Sequence, residues 1–168
     1  MKALLVGLLL ACAVLSAGAQ DRIIVGASRS LESSGFLAYI APLAVTGAGI
    51  QIDWTTDEDA QVIELARECG VDAILVSSPS KEEKLLRDGV GALRLRVMTA
   101  GSQDQFDAIA INPGACAVTR LNAALRFLRW ITSGEGQKLI AEFSPRGGAA
   151  AYRPNAGTET CPACEAQQ

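Results

Sequence analysis

The chain contains no histidine. That absence removes Ser-His-Asp and Cys-His catalysis, together with any metal site built on imidazole. A basic surplus is missing too: 15 lysines and arginines stand against 18 acids, for a formal charge of −3. The arginines are scattered rather than clustered, so no nucleic acid is expected as a partner. Internal repeats are absent, and so is any apolar run of the 18 or more residues that a membrane span needs. What remains, at 168 residues, is one domain with a real core and hardly two.

The first 19 residues read as a secretory signal. Lys2 forms a short positive start, Ala3 to Leu15 an apolar stretch, and Ala17-Gly18-Ala19 an A-x-A cleavage pattern. Lipid attachment at Cys12 is the alternative, since Leu9-Leu10-Ala11-Cys12 is lipobox-like, but it would leave an unusually short signal. Cleavage before Gln20 leaves 149 residues, and the loss of Lys2 moves the charge from −3 to −4. The expected location is the periplasm. Cys12 leaves with the signal, while Cys69, Cys116, Cys161 and Cys164 remain, an even number in an oxidising compartment.

Residues 23–37 organise the rest. The β-branched run Ile23-Ile24-Val25 meets Gly26, and then Ser28, Ser30, Ser33 and Ser34 precede an apolar helical pattern beginning at Gly35. A strand, a hydroxyl-rich turn and a helix start can converge donors on an anion. The same serines can equally cap a helix and fill a polar loop. Downstream, a helix is expected over 35–46, bent or shortened by Pro42, and a strand over 50–54. Thr56 and Asp59 look like a capping box before the apolar face Val62, Ile63, Leu65 and Ala66. Ala73 to Val76 reads as a central parallel strand, and Ser77-Ser78-Pro79-Ser80 is a second hydroxyl-rich turn into a helix over 81–88. Strands follow at 93–98 and 106–111, joined by a polar turn at 99–104. Two helices come next, at about 121–133 and 134–143. From Ser144 onward glycine, alanine and proline dominate, and the stretch past Asn155 reads as a disordered tail. The β-α-β-α-β-α-β order is that of an open parallel sheet with helices on both faces.

The segment IIVGASRSLESSGFLAYIAPL (23–43) resembles the opening of the tungstate-binding proteins that serve ABC importers. CGVDAILVSSPSKEEKLLRDGVG (69–91), AIAINPG (108–114), LRFLRWITSGEGQKLIAEF (125–143) and YRPNA (152–156) are similar to later pieces of that family, so the likeness spans nearly all of 22–156. TSGEGQKLIAEF is its most specific part, shared more widely among type II periplasmic binding proteins. Family members hold an oxyanion between two lobes. Here Met98 is followed within a few residues by the returning strand, so the resemblance implies one lobe, residues 20–156, with a hairpin where the second would emerge. The implied fold is α/β: an open, mostly parallel five-stranded sheet with one antiparallel strand, helices on both faces, and a tail over 157–168. It also implies that Cys69 and Cys116 lie together at the end of the sheet opposite the serines, and pair.

The ligand positions that match the family are Ser28, Ser30, Ser34 and Gln61, joined by Arg29, Ser77 and Ser78 at the strand ends where open α/β sheets hold ligands. Several positions depart from the family: Arg29 and Leu31 replace hydroxyl residues, Glu32 and Ser33 replace the usual pair before Ser-Gly, and Glu58-Asp59-Ala60-Gln61 stands for Gly-Thr-Gly-Gln. Carboxylates beside an oxyanion are electrostatically unfavourable. Asp57, Glu58 and Asp59 read as a solvated helix cap, with a calcium-type site as the alternative. Cys161-Pro162-Ala163-Cys164 has redox spacing without a following helix, so a tail disulfide or half of a soft-metal site competes with thiol–disulfide activity. No catalytic residues and no cofactor are expected, and the chain reads as a binding module rather than an enzyme. Its partners would be a small oxyanion, an importer's membrane component or another periplasmic protein, and a second copy of the chain that rebuilds the cleft. A module that has lost its ligand and docks a partner is the alternative function.

Overall fold

A computed structural model of the chain describes residues 21–101, 104–147 and 151–157. The expected signal, the cysteines Cys161 and Cys164, and nearly all of the expected tail lie outside these residues. Six strands form one sheet in the order β2-β1-β3-β5-β4-β6. They are β1 (Asp21–Ser28), β2 (Ile50–Asp57), β3 (Ala73–Val76), β4 (Gly91–Ala100), β5 (Asp104–Ile111) and β6 (Tyr152–Pro154). Strand β1 runs parallel to β2 and β3, whereas β5 is antiparallel to both β3 and β4. Between the strands run α1 (Arg29–Ser33), α2 (Phe36–Ala48), α3 (Asp59–Arg67), α4 (Pro79–Arg87), α5 (Leu121–Ile131) and α6 (Gly134–Glu142).

Period-two side-chain alternation divides the core. Ile23, Val25, Ala73 and Leu75 face α2 and α5, packing on Phe36, Ile40, Phe127 and Leu128. Ile74 and Val76 point the other way, onto Val62, Ile63 and Leu85 of α3 and α4. Helices therefore cover both faces, and β3 reads as an unbroken apolar run because both of its faces are buried. Gly26 permits the close approach of α3: a Cβ there would stand 2.8 Å from Val62 Cγ1.

The expected single lobe holds, and strands β4 and β5 close as the expected hairpin, from Gly91↔Ile111 to Ala100↔Asp104. Four local expectations change. The hydroxyl-rich turn is largely the short helix α1, separated from α2 by Gly35 in the left-handed region (φ 85°). Helix α2 runs on through Pro42 to Ala48. The Thr56–Asp59 capping box does not form, because Thr56 belongs to β2 and its hydroxyl donates to Glu32 (2.6 Å). Finally, the five-stranded sheet gains a sixth strand, and with it a second antiparallel one, since β6 pairs Tyr152–Pro154 with Met98–Ala100. Tyr152 anchors it: its ring lies edge-on to Phe36 at 5.4 Å and stacks on Phe143 at 5.8 Å, and its hydroxyl donates to Ser34 Oγ (2.9 Å). Beyond β6, the Asn155 amide donates to Val97 O (3.1 Å) and the Ala156 amide to Gln137 Oε1 (2.9 Å), so order continues past Asn155.

At the opposite end of the sheet from the serines, Cys69 and Cys116 form the expected disulfide, Cα atoms 5.3 Å apart. Nearby, buried Asp72 accepts the amides of Ile24 (2.8 Å) and Arg120 (2.7 Å) and pairs with the Arg120 guanidinium (3.3 Å). The disulfide spans 47 residues, which the chain-entropy relation converts to about 4 kcal/mol. Replacing both Cys69 and Cys116 by serine should lower the urea unfolding free energy by about that amount. An unchanged transition midpoint would contradict this role.

Candidate functional site

Three segments end or begin at the carboxyl edge of the parallel strands: β1 into α1, β2 into α3, and β3 into α4. Their junctions surround a cleft of about 580 Å³. Ser28, Arg29, Ser30 and Ser77 line it, as the sequence places them, with Ser33, Lys81 and Asp104 added to the wall. Lys81 had a legible signal, as the first charged residue after a hydroxyl-rich turn. Ser33 sits on the serine run itself. Asp104 is brought in only by hairpin closure.

Two expected members do not join the cleft. Ser34 is 1% exposed and committed internally: its hydroxyl donates to Leu31 O (2.8 Å) and accepts from the Phe36 amide and from Tyr152. Gln61, exposed on α3, lines a separate groove with Thr55 and Leu65. Ser78 lies at the edge of the site, its amide donating to Glu82 Oε1 (2.7 Å).

Asp59, the first helical residue of α3, lines the same cleft. Its Oδ1 accepts the Ser28 hydroxyl and its Oδ2 accepts the Ser77 amide at 3.0 Å. Donors from the ends of two adjacent strands thus meet on one carboxylate. Arg29 is drawn aside, its guanidinium 2.7 Å from Asp57 and 3.6 Å from Glu58. These partners are half-exposed or more, so the pairs add little stability, yet they occupy the cation expected to face an anion. Asp57, Glu58 and Asp59 therefore diverge in their bonding. Among the described residues, no three carboxylate or thiol side chains are grouped to hold a metal ion.

A pair of buried acids lies behind the β3–α4 turn, Glu82 in α4 and Asp107 in β5. Glu82 is fully buried, and its Oε2 has no hydrogen-bond partner, with Arg94 Nη1 3.8 Å away. Asp107, 4% exposed, accepts from Gln105 Nε2 (2.8 Å) and has Arg94 Nε at 3.7 Å. Burial first, and then the neighbouring Asp107 charge, pushes the Glu82 pKa up to about 8. Burial raises Asp107 as well. Nothing in the sequence pattern marked this pair, because Glu82 sits in a run of charged residues that looks like a solvated helix face.

Solved structures that this fold matches include tungstate-binding and ABC-transporter substrate-binding proteins. The tungstate-binding protein of Desulfovibrio alaskensis G20 superposes with a TM-score of 0.71 at 16% identity, covering 82% of this chain and 100% of that one. The tungstate ABC transporter protein of Geobacter sulfurreducens gives 0.69 at 13%, over 73% of this chain and 99% of that one. A substrate-binding domain assigned to a molybdenum ABC transporter of Clostridium difficile gives 0.57 at 8%, over 80% and 99%. At these identities the likeness is one of fold. No family model matches the sequence, and no curated protein matches it significantly. No helix among the described residues is long and apolar enough to cross a membrane.

The acid pair sets a pH dependence. Below about 4.5, the ordinary value, Glu82 is protonated in both folded and unfolded chains and has no effect. Between there and about 8 the unfolded chain ionises while the folded one keeps its proton, so stability declines as pH rises and levels off above that value. Asp107 acts with the same sign. Melting temperature should fall from pH 5 to pH 8, and Glu82→Gln should flatten that slope and raise stability at pH 8. A slope unaffected by Glu82→Gln would contradict the assignment.

Proposed function

We propose that the chain is a periplasmic solute-binding-protein-like module that takes a small tetrahedral oxyanion, of the tungstate or molybdate type, weakly at the carboxyl ends of β1 and β3. One observation carries the reading: the Ser28 hydroxyl and the Ser77 amide converge on the two oxygens of a single carboxylate. A place that solvates paired anionic oxygens with neutral donors suits an oxyanion. Ser30 and Lys81, on the same wall, supply further donors. Binding is weak because a single lobe leaves the ligand open on one side, whereas strong sites bury most of their ligand. The acids Glu58, Asp59 and Asp104 along the cleft oppose a dianion. In this reading the module works beside an ABC importer's membrane component, the class of assembly named for the Geobacter sulfurreducens structure.

A second reading, a partner-docking module without a solute, is favoured by the engagement of Arg29 with Asp57 and Glu58. Thermal-shift titrations with tungstate, molybdate, sulfate and phosphate, against chloride at matched ionic strength, separate the two. The solute reading requires a saturable rise in melting temperature with at least one of these anions. No rise with any of them at millimolar concentration rejects it and leaves the docking module.

A further inference from the structure

The geometry points to Asp59 as an internal stand-in for the ligand, so that the cradle is self-occupied and an oxyanion enters only by displacing that carboxylate. This inference rests on the cradle being an oxyanion site. Three features carry it. The Ser28 side chain is only 3% exposed yet turned into the cleft, where its hydroxyl reaches Asp59 Oδ1, while the Ser77 amide reaches Oδ2 (3.0 Å). The two donors take one oxygen each, as they would take two oxygens of a tetrahedral anion. Second, Asp59 makes no ion pair among the described residues; Arg29, on the same wall, is held by Asp57 and Glu58 instead. Asp72 at the other end of the sheet is the contrast. It also bridges two amides, but its charge is met by the Arg120 guanidinium, as a purely structural carboxylate requires. Third, the cleft around Asp59 has about 580 Å³ of open volume, so the carboxylate has somewhere to go when a ligand arrives.

Displacement costs the incoming anion both the two donors already engaged and the repulsion of a like charge held close by. Asp59 is therefore an affinity-setting residue: it keeps the site weak and biases it against highly charged anions. Removing the carboxylate frees the Ser28 hydroxyl and the Ser77 amide together.

Isothermal titration with sodium tungstate, on the wild-type chain, Asp59→Gly and Asp59→Asn, tests this. Asn keeps the side-chain shape without the charge, so one of the two variants remains informative if Gly disturbs the start of α3. Circular dichroism and melting curves establish that each variant is folded. The expected result is a gain in affinity on the order of tenfold or more in a folded variant, lost again when Ser28→Ala is added. A wild type too weak to give heat in the titration, beside a variant that binds, supports the inference equally, because the millimolar thermal shift still reads the weak wild-type site. Equal affinity in wild type and both variants overturns it while leaving the oxyanion module standing. Binding by none of them overturns both, and a gain that survives Ser28→Ala overturns the assigned position.

Discussion

The ends of β1 and β3 and the beginning of α3 are tied to one another through a single side chain, Asp59. Because the Ser28 hydroxyl and the Ser77 amide both terminate on its carboxylate, three chain reversals that could otherwise move apart are fixed in register. The open edge of the sheet is organised by this contact, much as the opposite edge is organised by Asp72 and the Cys69–Cys116 bridge. The two carboxylates differ in their surroundings. Asp72 is compensated by Arg120, whereas Asp59 faces a cleft and relies on neutral donors. Two donors at adjacent strand ends that converge on a carboxylate facing a cleft are the physical basis for the proposal that Asp59 occupies a ligand position.

Much of this architecture was legible in the sequence because it is written in local pattern. Ala73 to Val76 announce a strand whose two faces are both buried, and the short distance between Met98 and Phe106, taken with the family resemblance, implies a hairpin in place of a second lobe. Glycines at 35, 49 and 70 mark where helices start or stop. What escaped was written in contacts distant along the chain. Strand β6 exists because Tyr152 finds Phe36, Phe143 and Ser34, and three residues in a Gly-Ala-Pro-rich stretch carry no strand signal of their own. Ser34 matched a ligand hydroxyl in sequence, but the same tyrosine draws it into the core.

Asp59 is the instructive case. At three residues past Thr56, before an apolar run, it has the look of a helix cap, and helix start it is. Its bonds nevertheless go outward, to the ends of two strands, because β2 extends through Asp57 and leaves Thr56 to Glu32. Likewise, Glu82 looks like one more charge on an exposed helix until the sheet brings Asp107 and Arg94 against it. In a chain with no histidine, such a buried acid pair gives side-chain charge a way to change near neutral pH, a property that composition alone would deny.

The central claim is positional: the carboxylate of Asp59 lies where an oxyanion would lie. Anomalous diffraction from crystals of the Asp59→Gly chain grown with tungstate measures that position directly. The account predicts one strong tungsten peak in the space left by the carboxylate, seated so that tungstate oxygens lie within hydrogen-bond reach of Ser28 Oγ and the Ser77 amide. A peak seated elsewhere, or an empty cradle in crystals soaked to saturation, would contradict it.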